Sequence, residues 1–364
     1  MKKTAVISLL LSLLCLLPGC AKSASDEEAF GTSQPTQAQP SQPAAEETPS
    51  PAPEPTVPPE DAPLFIDEVS MGGDIEAGNE VIPLGSSPAP LPSLLLPEAS
   101  GVSAAKGNGA EIDYSNAADG YVMGRFPGTS EKQLRVRVTG PSGTNYDYLL
   151  PAGESWSTFP LSDGNGAYKV MMLQNTEGKK YAVLCTASFT VTLKDEFAPF
   201  LRPNQYVNYE GAVETVKQAA ALTKDIEAPL EKVGAVYNYV VKTLSYDKAR
   251  AEAVINRQLA GYLPVLDSVL AEKKGICFDY AALMTGMLRS QGVPCKLVVG
   301  YAGTTYHAWV SVWTRETGWV DNAIYFDGTT WHRMDPTFAS SGNSSEAIMQ
   351  FIGDGKNYTV KYLY

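Results

Sequence analysis

Histidine is almost missing from this chain: two in 364 residues. Any chemistry that needs an imidazole must therefore use His307 or His332. The five cysteines include no Cys-x-x-Cys pair and the histidines no paired spacing, so the usual zinc patterns are excluded. Positive charge is also short. Twenty-eight Lys and Arg face 40 Asp and Glu, a net charge of −12, and no basic cluster follows Lys2 and Lys3. Such a surface repels a phosphate backbone and argues against nucleic acid as a partner. The longest apolar run, Thr4 to Leu17, is too short to span a bilayer comfortably. No internal repeat is visible.

What is present changes character along the chain. Lys2 and Lys3, the apolar run and Pro18-Gly19-Cys20 read as an export signal over residues 1–19. From residue 20 to about 100 the composition shifts to Pro, Ser, Gln, Glu and Ala, which cannot bury enough apolar surface to offset chain entropy. That stretch is expected to be an extended, disordered tether, with Leu94-Leu95-Leu96 at most a weak docking spot.

Alternation sets in over residues 105–195. Gln133–Thr139, Tyr146–Leu150, Tyr168–Gln174 and Tyr181–Leu193 read as strands separated by Gly and Pro turns, which suggests an antiparallel sandwich of immunoglobulin-like size. Asp163-Gly164-Asn165-Gly166 is read as a tight turn, since the remainder of a calcium loop is missing.

Residues 197–364 have a different rhythm. Helices are expected over Tyr209–Thr223, from Pro229 through Leu244, over Val265–Ala271 and over Cys277–Ser290, with a loop from Asp247 to Pro264. After Pro294 the period becomes two, giving strands at Cys295–Tyr301, His307–Trp313, Trp319–Asp321 and Trp331–Asp335. Helices followed by an antiparallel sheet make an α+β domain.

One stretch stands out for chemistry. Gly275-Ile276-Cys277 puts a thiol at the start of an apolar helix that Gly292-Val293-Pro294 stops. Unpaired N–H groups and the helix dipole favour a thiolate there and can bring a cysteine pKa from about 8.5 down to roughly 3.5–7.5. His307 opens a strand after a polar loop, and Asp335 closes another before Pro336. A thiol, a base and a carboxylate that orients the base are the general requirement for thiol acyl transfer. The main-chain N–H of Cys277 is the expected oxyanion donor. The Tyr246 hydroxyl is a candidate second donor, with simple packing of the preceding helix as its alternative. Asp279 is expected to cap or pair, His332 to lie on the surface or be satisfied within a sheet, and Cys185 and Cys295 to be buried free thiols.

Two resemblances attach to these residues. Leu17-Pro18-Gly19-Cys20 resembles the lipobox of bacterial lipoproteins, with Pro18 an unusual occupant; that implies acylation of Cys20 and a protein held at the outer face of the membrane. Gly275-Ile276-Cys277-Phe278-Asp279-Tyr280-Ala281, Gly292-Val293-Pro294, Gly300-Tyr301, His307-Ala308-Trp309-Val310 and Met334-Asp335-Pro336-Thr337 resemble the bacterial transglutaminase-like superfamily, over about residue 197 to the end. The resemblance implies a papain-like fold with Cys277 as nucleophile, His307 as base and Asp335 as orienter, no cofactor, and a peptide or protein substrate. Water as acceptor would make a peptidase or amidase, an amine a crosslinker, and hydrolysis is the outcome favoured. The alternative is a surface binding or scaffolding module that keeps the fold without turnover.

Overall fold

The computed structural model describes residues 93–315, 318–320, 324–326, 331–333 and 358–364. The export signal, Cys20, the tether up to residue 92, and Asp335 lie outside the described residues. All described residues belong to one compact unit.

Eight strands come first: β1 (Ala104–Gly107), β2 (Ala110–Asp113), β3 (Tyr121–Phe126), β4 (Leu134–Thr139), β5 (Asn145–Leu150), β6 (Gly153–Pro160), β7 (Gly166–Glu177) and β8 (Lys180–Val191). They form two four-stranded antiparallel sheets, ordered β1-β2-β3-β6 and β5-β4-β7-β8. The period-two pattern explains the faces. Leu134, Val136 and Val138 of β4 are buried, while Arg135, Arg137 and Thr139 between them are only half-buried. Opposite Arg137 in the register stands Asp147, and two 2.7 Å hydrogen bonds join them. Four of the strands, β1, β2, β3 and β6, were not legible as separate elements. Residues 93–100, expected to be tether, instead lie on the sandwich: Leu94 packs on the core, and the Glu98 carbonyl accepts from Asn116 at 2.8 Å. Leu95 and Leu96 stay exposed.

The helical layer follows as α1 (Val213–Thr223), α2 (Pro229–Thr243), β9 (Ser245–Tyr246), α3 (Lys248–Ile255), α4 (Leu266–Glu272), β10 (Lys274–Gly275) and α5 (Cys277–Ser290). Then come β11 (Cys295–Ala302), β12 (Thr305–Thr314), β13 (Gly318–Val320), β14 (Ile324–Phe326), β15 (Trp331–Arg333) and β16 (Tyr358–Leu363). Strands β13-β12-β11-β16 make an antiparallel sheet in that order. Strands β14 and β15 pair with each other, with His332 opposite Tyr325. This is the α+β arrangement expected, with helix α5 at its centre.

Two expectations need correction. The helix expected from Tyr209 starts at Val213, because Tyr209 is buried before it and its hydroxyl donates to the Leu201 carbonyl at 2.8 Å. The loop expected after Asp247 contains helix α3, started by the Asp247 carboxylate, which accepts from the Arg250 N–H at 3.0 Å. A side-chain acceptor at that position satisfies one of the N–H groups a helix start leaves open.

Every residue of α5 is buried. Its apolar side chains point to every side, which requires enclosure, and α1, α2, α4, β11 and β12 surround it. At its far end the buried Arg289 guanidinium donates to three main-chain oxygens, those of Cys295 (2.8 Å), Arg202 (2.8 Å) and Tyr364 (2.6 Å). One apolar core runs from the sandwich into this layer. Its seam is aromatic: the Tyr148 ring of β5 lies 5.4 Å from Tyr206 and 5.7 Å from Tyr364, and Tyr206 lies 5.5 Å from Phe278 of α5. Tilted ring pairs at such distances add to simple area burial.

Candidate active site

Cys277 is the first residue of α5, and its position is built by a short two-strand bracket. Strand β10 runs parallel to β9, pairing Lys274 with Ser245 and Gly275 with Tyr246. The Asp247 N–H donates to the Gly275 carbonyl at 2.8 Å and the Ser245 N–H to that of Lys273 at 3.0 Å. Ile276 then turns the chain into the helix, whose first closing bond runs from the Tyr280 N–H to the Ile276 carbonyl at 3.1 Å. The N–H groups of Cys277 and Phe278 consequently have no acceptor within the helix, which is the electropositive end expected from the sequence.

Asp279 secures this turn. Its carboxylate accepts from the Ile276 N–H at 2.8 Å, from the Tyr262 hydroxyl at 2.6 Å and from the Arg250 guanidinium at 3.4 Å. It both caps and pairs, as its position suggested. Burial raises the Asp279 carboxyl above the ordinary range, and the three donors offset only part of that. Arg250 also reaches Glu272 at 2.6 Å and Asp247 at 3.6 Å, so one cation ties α3, α4 and α5 together. Burial alone would lower Arg250, but Glu272, Tyr262 and Asp279 raise it. Gly275 is fixed in β10. A Cβ there would stand 2.5 Å from that of Asp279, so glycine is what lets the carboxylate fold back against the bracket.

Two phenols feel Cys277 electrostatically. Burial first, and then the charge of Cys277, raises the Tyr246 hydroxyl. Tyr306 is raised by burial, by its tyrosine neighbours and also by Cys277. Tyr246 pairs with Gly275, two residues before Cys277, and Tyr306 is the second residue of β12.

His307 follows Tyr306 and is fully buried. It sits opposite Gly300 in the β11–β12 register, its ring 6.2 Å from that of Trp309 at an angle of 22°. The pleat places His307 on the Trp309 face, while Ala308, Val310 and Val312 join the core that contains α5. The alternation thus sets His307 on the face of β12 opposite Ala308 and Val310. Along Thr305–Ser311 no described strand lies beyond β12, because β13 pairs only Val312–Thr314. Asp335 lies outside the described residues.

Cys185, Cys277 and Cys295 are all free and buried. Burial pushes the Cys295 thiol up to about 12, marking it as a core residue beside Thr285 rather than a nucleophile. Among the described residues no group of three or more His, Cys, Asp or Glu side chains could hold a metal ion. Arg250 and Tyr262, which hold Asp279, were missed in the sequence; a buried acid two residues after the cysteine was the only pointer to them.

Known proteins bear on this arrangement. Residues 216–336 match the family model of the transglutaminase-like superfamily. A protein-glutamine gamma-glutamyltransferase from Pseudomonas aeruginosa is 32% identical over 68 residues, covering 15% of this chain and 10% of that protein. The chain therefore spans about a tenth of the curated relative. Among solved structures, a candidate cysteine protease from Cytophaga hutchinsonii aligns with 64% of this chain and 73% of its own at 15% identity and a TM-score of 0.30. A red sea bream transglutaminase aligns with 60% of this chain and 48% of its own at 13% identity and a TM-score of 0.21. Those scores mark slight likeness, and the assignment rests on the family match. That match takes in the α5 cysteine, the β12 histidine and Asp335, and by it residues 216–336 form a transglutaminase-like domain.

Proposed function

We propose that the protein is an exported thiol acyl-transfer enzyme acting on a peptide or protein at the outer face of a bacterial membrane, held there by lipid on Cys20. The observation that carries this reading is Cys277 at the first position of a buried helix, inside the region matched to the superfamily. Cys277 is the nucleophile, His307 the base and Asp335 the group that orients it. The sulfur attacks a carboxamide or peptide carbonyl, and the oxyanion that forms takes hydrogen bonds from the Cys277 N–H and the Tyr246 hydroxyl. His307, holding the proton taken from the thiol, gives it to the departing amine. The thioester is then resolved by water to an acid or by a second amine to a new amide.

Incubating the full chain with glutamine-containing peptides and a labelled primary amine tests this. Cleaved or deamidated peptide shows hydrolysis, labelled peptide shows transamidation, and both are lost in Cys277→Ala. Turnover undiminished by that substitution refutes the assignment. Cys20→Ala should release the protein from the membrane fraction.

One observation favours the second reading, a binding module without turnover: Cys277 is 1% and His307 0% exposed. Mass spectrometry of the protein treated with iodoacetamide under native conditions separates the two. Modification of Cys277 well ahead of Cys185 and Cys295 supports the enzyme; equal protection of all three supports the binding module.

A further inference from the structure

A cleft of about 460 Å³ opens at the seam between the sandwich and the helical layer. The sandwich side supplies Leu149, Leu150 and Pro151, with Lys132 at the rim; the helical side supplies Gln205 and Leu263. The last two are chain neighbours of the residues that hold the start of α5. Tyr206, after Gln205, packs its ring 5.5 Å from Phe278, and Tyr262, before Leu263, bonds Asp279 at 2.6 Å. Phe278 and Asp279 directly follow Cys277, so each of the two helical-side wall residues is one residue removed from a contact with the start of α5.

The walls have a definite chemistry. The Gln205 side-chain N–H donates to the Leu149 carbonyl, while its Oε1 is buried without a hydrogen-bond partner. A buried acceptor left open costs free energy until a donor arrives. Strand β5 is the edge of its sheet, but its outward carbonyls are already taken, Leu149 by Gln205 and Asp147 by the Tyr206 hydroxyl. A ligand therefore cannot simply extend that sheet. What the cleft offers instead is the Gln205 oxygen and the apolar side chains of Leu149 and Leu263. The loop bearing Leu263 closes on β5 because Gly261, at φ +76°, leaves room that a Cβ 2.6 Å from Leu149 Cδ1 would fill.

We infer that this cleft is a subsite for the acyl-donor peptide, taking an aliphatic side chain between Leu149 and Leu263 and one main-chain N–H on Gln205 Oε1. The inference rests on the function proposed above and makes the sandwich a specificity-determining part of the enzyme.

The test uses two fluorescent peptides that differ at one position beside the reactive glutamine, Leu in one and Gly in the other, and a third that is the Leu peptide with its neighbouring amide N-methylated. Binding is measured by anisotropy on full-length Cys277→Ala protein, alone and with Leu263→Asp or Gln205→Met added. Thermal unfolding of each variant checks that it is folded. The Leu peptide is expected to bind about tenfold or more tightly than the Gly peptide, the gain from filling an apolar pocket. Leu263→Asp should collapse that ratio towards one. N-methylation should weaken binding to the parent and not weaken it further in Gln205→Met. A Leu-to-Gly ratio near one in the parent, or one that survives Leu263→Asp, overturns the cleft assignment. Because binding is read on a protein without the thiol, failure of the catalytic reading shows separately, as absence of Cys277-dependent turnover in the wild type.

Discussion

Replacing Asp279 by Ala removes the acceptor for three donors at once: the Ile276 N–H, the Tyr262 hydroxyl and the Arg250 guanidinium. Loss of a helix cap costs about 1 kcal/mol, and breaking a buried ion pair by deleting one partner costs about 3–5 kcal/mol. Arg250 keeps Glu272 and Asp247, so the second figure applies at its lower end. The sum expected is about 3–4 kcal/mol, a fall in Tm on the order of 10 °C for a unit of this size. Asp279→Asn should cost about half as much. Its oxygen still caps Ile276, and its amide can donate to the Tyr262 oxygen, leaving chiefly the Arg250 contact to be lost. The measurement is urea unfolding followed by tryptophan fluorescence, alongside the rate at which iodoacetamide reaches Cys277. A released helix start should expose the thiol, so Ala is expected to speed alkylation more than Asn does. An Ala variant within 0.5 kcal/mol of wild type, or an Asn variant as damaged as Ala, would refute the view that this carboxylate holds the nucleophile's turn.

Three further outcomes follow from the same packing. Because burial holds the folded Asp279 carboxyl above its unfolded value, the stability it contributes is fully present below the unfolded value and lost as pH rises through the folded one; the wild-type minus Asp279→Asn difference in unfolding free energy should therefore shrink with rising pH. Arg289→Met leaves three main-chain oxygens without their shared donor and should cost about 3–5 kcal/mol in urea unfolding, whereas a cost under 1 kcal/mol would show that the buried cation is dispensable. Gly300→Ala drives a Cβ into the Thr359 carbonyl and the Trp309 ring, so about 2–3 kcal/mol should be lost and hydrogen exchange should quicken first in Tyr358–Leu363; unchanged protection there would contradict the packing of β16 on β11.

Helix α5 was legible to the residue, since an apolar run bounded by Gly275 and by Gly292-Val293-Pro294 leaves little freedom for either end. Strands with strict alternation, such as β4, were equally plain. The misses have a common cause, contacts between residues far apart in the chain. Helix α3 has an Ala-rich sequence with little apolar face, and what makes it a helix is the Asp247 cap and the grip of Arg250 on Glu272 and Asp279. Strand β16 exists because β11 offers it a partner. Ala308, Val310 and Val312, small and branched residues that suit packing on a helix, lie in the core with α5. The need for glycine at position 275 was not legible, because it depends on where Asp279 folds back.

The tyrosines that join β5 to Tyr206 and Tyr364 have an implication for descent. Gene fusion shuffles modules freely when they meet across water, but here an exchange of the front module would strand a wall of phenol rings with nothing to lie against. The two halves are bound to change together, with each substitution on one side limiting what the other can accept.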